Sequence, residues 1–221
     1  MVGRPEDSVE GRRASGATGR RLTASAFVVA GILFLLYPAI RPFSDEVTLS
    51  GAAAFASPAW LVAHSLAMAG FVLLVLGLFG LHVQMRGTPG TGLALPALLL
   101  SWVGAGLTLP YYGAETFGLH ALGQEALRRG DPALLSVANA IRFEVGLWFI
   151  SVGLLALAAG TILFAVAIWR SGTLVRWSGM PLAAGFVLFL PQFFASQPLR
   201  IVHGALIAAA GFVLAATLSR R

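Results

Sequence analysis

Six stretches of mostly apolar residues divide the chain, and polar or glycine-rich segments separate them. A helix that crosses a membrane needs about 20 consecutive apolar residues, because a bilayer core is about 30 Å thick. The pattern therefore predicts an all-α protein with six transmembrane helices, numbered here as spans one to six. Their predicted limits are Leu22–Ile40, Ala59–Val83, Leu93–Tyr112, Val145–Trp169, Trp177–Phe194 and Leu199–Leu218.

Two of the segments outside the spans carry local signals. The first, Met1–Arg21, is rich in Gly, Ser and Arg, which predicts a disordered cytoplasmic segment. The second, Arg41–Pro58, follows span one on its outer side. It is expected to form a short interfacial helix capped by Ser44, with Asp45 and Glu46 in its first turn.

The stretch Gly113–Glu144 is the long excursion between spans three and four, and its composition favours helix. Gly130 is expected to end one helix, because glycine adopts the left-handed conformation of a helix C-terminus at little cost. Asp131 then resembles an N-cap, and Pro132 suits the first position of a new helix. Spans three and four are therefore predicted to extend outward as a helical hairpin.

Composition confirms the class of protein. The 221 residues are 57% hydrophobic and only 11% charged, whereas soluble domains are about 25% charged. Cysteine is absent, which excludes disulfides, thiolate metal sites and cysteine nucleophiles. All 15 basic residues are arginine, so lysine Schiff-base chemistry is excluded as well. The high pI of about 11.2 does not indicate a nucleic-acid partner, because the arginines follow membrane topology instead.

The arginine distribution predicts the orientation. With the N-terminus inside, the inner segments hold ten arginines and three carboxylates, while the outer segments hold five arginines and six carboxylates. Cytoplasmic loops of membrane proteins carry the excess of positive charge, so both termini are expected inside. Aromatic residues at the outer span ends, among them Trp60 and Trp148, are expected to anchor the bilayer interface.

Small residues recur every seven positions in the even-numbered spans. This spacing keeps them on one side of a helix and lets helices approach closely. The even-numbered spans are therefore expected to form the tight centre of the bundle, and the same seams would serve a homo-oligomer. The seams are Ala63, Gly70 and Gly77 in span two, Gly146, Gly153, Gly160 and Ala167 in span four, and Gly204 and Gly211 in span six.

Polar residues within or beside the spans concentrate near the outer side. Ionisable groups at membrane depth are costly, which makes them functional candidates by default. The candidate ligand-binding residues are His64, Tyr111, Tyr112, Glu115, His120, Arg142, Glu144, Arg200 and His203. Across the predicted hairpin, Arg142 could meet Glu115 or His120.

The residues leave enzyme, binding protein and transporter open, and three interpretations compete. The favoured one is an outward-facing pocket for a small molecule or lipid headgroup, in which Arg142 and Arg200 contact an anion. The second is a single b-type haem or quinone redox site, since His64 and His203 lie at matching depth. The third is a zinc-dependent membrane hydrolase. Its candidate ligands are His64, His120, His203 and Glu115.

Three segments carry a resemblance to a known group. They are Phe43-Ser-Asp-Glu46, Phe55-Ala-Ser-Pro-Ala-Trp60 and Tyr111-Tyr-Gly-Ala-Glu-Thr-Phe-Gly-Leu-His120. With the Ala/Gly/Leu-rich spans and the arginine-only basic residues, the chain resembles uncharacterised six-helix inner-membrane proteins of high-GC bacteria. The resemblance covers Leu22–Leu218 and implies the fold and a bacterial inner membrane, but no catalytic residues.

Overall fold

Helices make up the regular structure of the computed structural model, which describes the backbone of residues 5–220 and the side chains of residues 16–220. No strand occurs in that part of the chain. Five helical stretches in it are long and apolar enough to cross a membrane. They are α1 (Pro5–Ile40), α3 (Pro58–Gln84), α4 (Thr91–Gly113) with its continuation into α5 (Leu119–Arg129), α7 (Val145–Ser171) and α9 (Gln197–Ser219).

Shorter elements connect the long helices. Three short α-helices are α2 (Leu49–Ala56), α6 (Ser136–Phe143) and α8 (Met180–Val187). A π-helical segment joins α4 to α5, and two 3-10 turns precede α6 and α9. These segments are Ala114–Gly118, Pro132–Leu135 and Pro191–Phe194.

The first helix begins earlier than the sequence pattern predicts. It starts at Pro5, so the described part of the segment Met1–Arg21, which was expected to be disordered, is helical. Pro5 is followed by Glu6 and Asp7. This order favours a helix start, because proline suits the first turn and acidic residues interact favourably with the helix dipole there. The prediction for residues 1–4 lies outside the described residues.

The predicted fifth span, Trp177–Phe194, is not one continuous helix. Its α-helical part, α8, ends at Val187, and a 3-10 turn follows at Pro191–Phe194. Pro191 has no N–H to donate to the Val187 carbonyl, and its ring would collide with that carbonyl, so the helix ends four residues before the proline. With its eight residues, α8 is about 12 Å long and does not cross a bilayer by itself.

The long helices pack in antiparallel pairs at close glycine contacts. α1 lies between α3 and α9 and runs antiparallel to both, while α4 runs antiparallel to α7. The contacts that fix this order are Gly70–Phe34 and Gly77–Phe27 between α3 and α1, Gly204–Phe34 and Gly211–Phe27 between α9 and α1, and Gly104–Leu157 and Gly160–Ala97 between α4 and α7.

The glycine seams therefore face the odd-numbered spans. Those of spans two and six pack on α1, and that of span four packs on α4. The expectation that the even-numbered spans form the tight centre is wrong, because α3 and α9 both pack on α1, and α7 packs on α4. The homo-oligomer that these seams suggest stays a prediction.

A helical cap covers one end of the bundle. We call this the outer end, where α1 finishes and α3 begins. α5 packs on α2, and Gly123 lets the two backbones approach, since a Cβ there would lie 2.6 Å from the Ala52 carbonyl oxygen. The cap has a separate small apolar core that consists of Ala52, Phe55, Trp60, Leu119, Ala126, Leu135 and Ala138.

The chain reverses in the cap at the turn that the sequence predicts. Gly130 ends α5 with a left-handed backbone (φ 65°), and the Asp131 side chain accepts a hydrogen bond of 3.0 Å from the Ala133 N–H. Pro132 occupies the first helical position after this cap. The local signals of these three residues therefore act as expected.

The start of α2 differs from the prediction. Its N-cap is Thr48, whose hydroxyl accepts from the Ser50 N–H, and not Ser44. Asp45 instead accepts hydrogen bonds from the backbone N–H groups of Val47 and Thr48. This local turn delays the helix, because an aspartate side chain that binds the backbone ahead of it competes with helix formation.

Candidate functional site

A cavity of about 420 Å³ lies at the outer end, between the ends of α1, α4 and α7 and the turn before α9. We call it the outer cavity. Its polar lining consists of Tyr37, Arg41, Ser44, Glu46, Tyr111, Tyr112, Glu115, Arg142 and Arg200. Its apolar lining consists of Phe43, Phe143, Leu147, Ile150, Leu190, Phe193 and Phe194. Five of the residues singled out in the sequence therefore meet here: Tyr111, Tyr112, Glu115, Arg142 and Arg200.

Arg142 is the centre of a chain of ion pairs along the polar wall. Its Nε and Nη2 donate to the two carboxylate oxygens of Glu115, at 2.5 and 3.0 Å. Its Nη1 donates to Glu46, and the other oxygen of Glu46 accepts from Arg41 Nη2 at 2.9 Å. Two-pronged arginine–carboxylate pairs of this kind are strong and fix the orientation of both groups. One guanidinium thereby joins α6 to the π-helical segment and to the loop before α2.

The π-helical segment positions Glu115. A π-helix adds a residue to the helical turn and turns the side chains around it, and such segments are frequent at functional sites. Trp60 holds the segment from α3, because its indole Nε1 donates to the Glu115 carbonyl oxygen at 2.7 Å. Trp60 is fully buried and is therefore not the interfacial anchor that the sequence suggests, whereas Trp148 is 73% exposed.

Glu46 adopts a strained backbone conformation. Its φ of 56° is the one positive value at a non-glycine residue in the described part of the chain. Such a conformation costs about 1–3 kcal/mol and persists where the surroundings impose it. The contacts with Arg41 and Arg142 supply that constraint, and Gly51 makes room, since a Cβ there would lie 2.6 Å from the Glu46 Cα.

The pKa values of the ion-paired groups follow from these contacts. Burial raises the pKa of Glu46, but the positive charges and hydrogen bonds of Arg142 and Arg41 outweigh it and hold the pKa below its ordinary value. For Arg142, burial lowers the pKa, while the bonds and charges of Glu115 and Glu46 raise it above the ordinary value. Both groups are therefore charged at neutral pH.

His64 lies directly behind Glu115 and is buried. Its Nδ1 is 2.9 Å from the Trp60 carbonyl oxygen, which assigns the proton to Nδ1, and its Nε2 is 3.8 Å from a Glu115 carboxylate oxygen. The ring packs on Trp60 with centroids 4.1 Å apart and meets the edge of Tyr37 at 5.2 Å. With its proton on Nδ1, neutral His64 donates no hydrogen bond to Glu115, and its ring fills the space behind the carboxylate.

Arg200 differs from the other two arginines because no carboxylate in the described part of the chain pairs with it. Its Nε and Nη2 donate to the carbonyl oxygens of Ala195 and Phe193, at 2.9 and 2.5 Å. The Phe43 ring lies between it and Arg41, with the two guanidinium carbons 5.2 and 4.6 Å from the ring centroid. A positive charge bonded only to carbonyls at a cavity wall is suited to attract an anion.

Besides His64, three predicted residues do not line the outer cavity. His120 faces α2, where its Nδ1 lies 3.0 Å from the Phe55 carbonyl oxygen. Glu144 is exposed at the bend between α6 and α7. His203 faces α8, with its Nε2 2.7 Å from the Gly185 carbonyl oxygen.

The structure adds site residues that the sequence analysis does not single out, chiefly Tyr37, Arg41 and Glu46. Tyr37 and Arg41 lie one helical turn apart at the end of span one. The signal that identifies them is an acidic residue, Glu46, five residues after an arginine at an outer span end. Opposite charges so close to the bilayer indicate an ion pair rather than two solvated groups.

Of the four residues proposed as metal ligands, His64 and Glu115 approach each other, but His120 and His203 lie elsewhere. In the part of the chain that the structure describes, no group of three His, Cys, Asp or Glu side chains is arranged to hold a metal ion. The two histidines proposed for haem have different surroundings, because His64 packs on Trp60 while His203 packs on Phe189 and bonds to α8. The outer cavity offers a ligand charged side chains and hydrogen-bonding groups.

Comparisons of the chain with models of protein families, with curated proteins and with solved structures find no match.

Proposed function

We propose that the chain is a multi-pass protein of the bacterial inner membrane whose outer cavity faces outward and binds a small molecule or a lipid headgroup. The observation that carries this proposal is the lining of the cavity, with three arginines and two glutamates around about 420 Å³. Charged side chains at membrane depth cost free energy, so their concentration around a space large enough for a ligand favours a binding role.

We further propose six crossings with both termini inside. α7 and α9 both run from the outer end to the other end, because α7 is antiparallel to α4 and α9 is antiparallel to α1. Residues 172–196 then lead the chain back, and α8 with its following turn would make the remaining crossing. The arginine excess in the segments assigned to the inside supports this orientation.

The ligand-binding role is tested by what the purified protein retains. The protein and its variants His64→Ala and Glu115→Ala are extracted from their membrane in mild detergent, and bound organic molecules are quantified by mass spectrometry. We expect both variants to lose the molecule that the unaltered protein retains, because Glu115→Ala removes a partner of Arg142 and His64→Ala removes the buried ring behind the Glu115 carboxylate. Glu125→Ala is the matched control, since Glu125 pairs only with Arg128 and Arg129 on the exposed surface.

The same samples discriminate between the alternatives. Full retention of the bound molecule in both variants would show that the site is assigned wrongly. A Soret absorption band lost in His64→Ala would support a haem protein instead, and one equivalent of zinc would support the hydrolase. Size-exclusion chromatography and circular dichroism establish that each variant is folded before retention is compared.

A further inference from the structure

We propose that the ligand of the outer cavity is a lipid with one net negative charge on its phosphate headgroup, held by Arg200 with the acyl chains directed toward the bilayer. This inference rests on the proposed function and names the class of ligand for the same cavity. Four features of the cavity support it: its charge, the position of Arg200, two buried hydroxyl groups on its wall, and its apolar side.

The charge of the lining calls for an anion. Three guanidinium groups face two carboxylates, so one positive charge is uncompensated when His64 is neutral. Arg142 and Arg41 are both paired with glutamate, which assigns the excess charge to Arg200. Arg200 is half-buried, so its unpaired charge is partly removed from water, and a singly charged anion would neutralise it. A zwitterionic headgroup would leave the excess unchanged.

Arg200 is held in place for this contact. Two of its donors are fixed by the carbonyls of Phe193 and Ala195, while its Nη1 makes no hydrogen bond among the described residues. The break after α8 creates this arrangement, because it places free carbonyl groups beside the first turn of α9. Arginine binds phosphate oxygens strongly through its planar set of N–H donors.

Two buried hydroxyl groups on the cavity wall have bonding capacity to spare. Ser44 Oγ and Tyr112 Oη make no hydrogen bond of normal geometry in the described residues, although the Tyr37 hydroxyl is near Tyr112. Buried polar atoms are satisfied in most structures, and each exception calls for an explanation. The oxygens of a phosphate group could accept from both hydroxyls.

The apolar side of the cavity distinguishes a lipid from a free phosphate ion. Leu147, Ile150 and Leu190 line it, and the neighbouring Phe194 is 90% exposed. In a bundle within a bilayer, the exposed side chains of Leu147 and Phe194 face acyl chains, while Ile150 is buried. A headgroup in the cavity would therefore have its chains beside these residues, whereas an inorganic ion gains nothing from them.

The proposal is tested with lipids of stated composition. The purified protein is presented with equal amounts of phosphatidylglycerol and phosphatidylcholine, and the bound lipids are counted by native mass spectrometry. We expect about tenfold or greater preference for phosphatidylglycerol, since a charged hydrogen bond contributes an effect of that size. Equal binding of the two lipids would overturn the proposal. Binding of glycerol 3-phosphate as strong as that of phosphatidylglycerol would overturn the lipid as the source of the phosphate.

Two variants connect the preference to the site. Arg200→Gln is expected to bring the preference close to parity, while Arg128→Gln, on the exposed surface of α5, leaves it unchanged. Tyr112→Phe removes only the hydroxyl, so it should fold as the unaltered protein does and bind phosphatidylglycerol several-fold more weakly. Unchanged preference in folded Arg200→Gln would overturn the assignment. If Arg200→Gln does not fold, phosphatidylglycerol binding by Tyr112→Phe as strong as that of the unaltered protein would overturn it.

Failure of this inference is distinguishable from failure of the proposed function. A molecule whose retention depends on Glu115 but not on Arg200 or on lipid charge would leave the binding function in place and remove the anionic lipid. If no bound molecule depends on Glu115 for its retention, both the proposed function and the anionic lipid are overturned.

Discussion

At the scale of single residues, the account depends on Arg142. Its guanidinium binds two carboxylates, those of Glu46 and Glu115, which lie 69 residues apart in sequence and on different segments, so it fixes the relative positions of the cap and the bundle.

 In sequence, Glu115 precedes Arg142 by 27 residues and Glu46 precedes it by 96 residues. The pairing with Glu115 follows from the hairpin that the sequence predicts. The pairing with Glu46 does not, because it depends on a strained loop conformation that no local signal indicates.

Removal of Arg142 is expected to destabilise the fold strongly. The side chains of Arg142 and Glu115 are only 13% and 6% exposed, so Arg142→Leu leaves a buried carboxylate without its partner. We expect a loss of about 3–5 kcal/mol in the free energy of unfolding, measured by denaturant titration in detergent micelles. The double variant Arg142→Leu/Glu115→Leu should recover part of that loss. If the two single effects simply add, the proposed coupling is absent.

Acid is expected to weaken the same contacts. The pKa of Glu46 in the folded chain is below its ordinary value of 4.5, so its ion pairs stabilise the fold above that value. This stabilisation is lost as the pH falls through the lower, folded pKa. The melting temperature of Glu46→Gln should therefore fall less steeply than that of the unaltered protein below about pH 4.5. Glu144→Gln serves as the control, because Glu144 is exposed and forms no ion pair in the described residues.

At the scale of helices, the sequence predicts most elements and misses the interruptions. Spans two, three, four and six fold as long helices, and span one does so with an earlier start. All five follow from their runs of apolar residues alone. The end of α8 also has a local cause, which is Pro191, but the apolar residues around the proline conceal the break in the helix. The π-helical segment at Ala114–Gly118 has no such signal, since it depends on the contact between Trp60 and the Glu115 carbonyl.

The close packing of α4 on α7 is tested by two glycines of the same helix. A Cβ at Gly104 would lie 2.7 Å from the Gly153 carbonyl oxygen, so Gly104→Ala should cost about 1–3 kcal/mol of stability. Gly106 has no neighbouring atom within 4 Å of a Cβ, so Gly106→Ala should leave the melting temperature unchanged or raise it. Equal effects of the two substitutions would contradict this packing.

At the scale of the whole molecule, the membrane topology is predicted from the distribution of the arginines, and it requires a test of its own. The chain contains no cysteine, so single cysteines can be introduced without background. A membrane-impermeant thiol reagent applied from outside should label cysteines at Asp131 and at Ser196. It should not label cysteines at Thr88 or Thr173 until the membrane is opened. Labelling of the Thr173→Cys variant from outside, before the membrane is opened, would contradict the proposed path of residues 172–196.

The course of the chain through the bundle can be predicted from the sequence as far as it depends on local pattern and charge. The outer cavity was predictable only in part, because the sequence indicates which polar residues lie near the outer side but not which of them converge. His64, Glu115 and Arg142 do meet, whereas His120 and His203 bond to backbone carbonyls elsewhere. These differences arise from rotations about helix axes that tertiary packing determines.

The most direct test of the central claim is the electron density of the outer cavity in crystals of the protein extracted from its own membrane in mild detergent. The account predicts density for a bound molecule beside Arg200, continuous with the apolar side near Leu147. The same density should be missing in crystals of Glu115→Ala. A cavity that contains only water in the unaltered protein, with bound molecules located elsewhere on the bundle, would contradict the account.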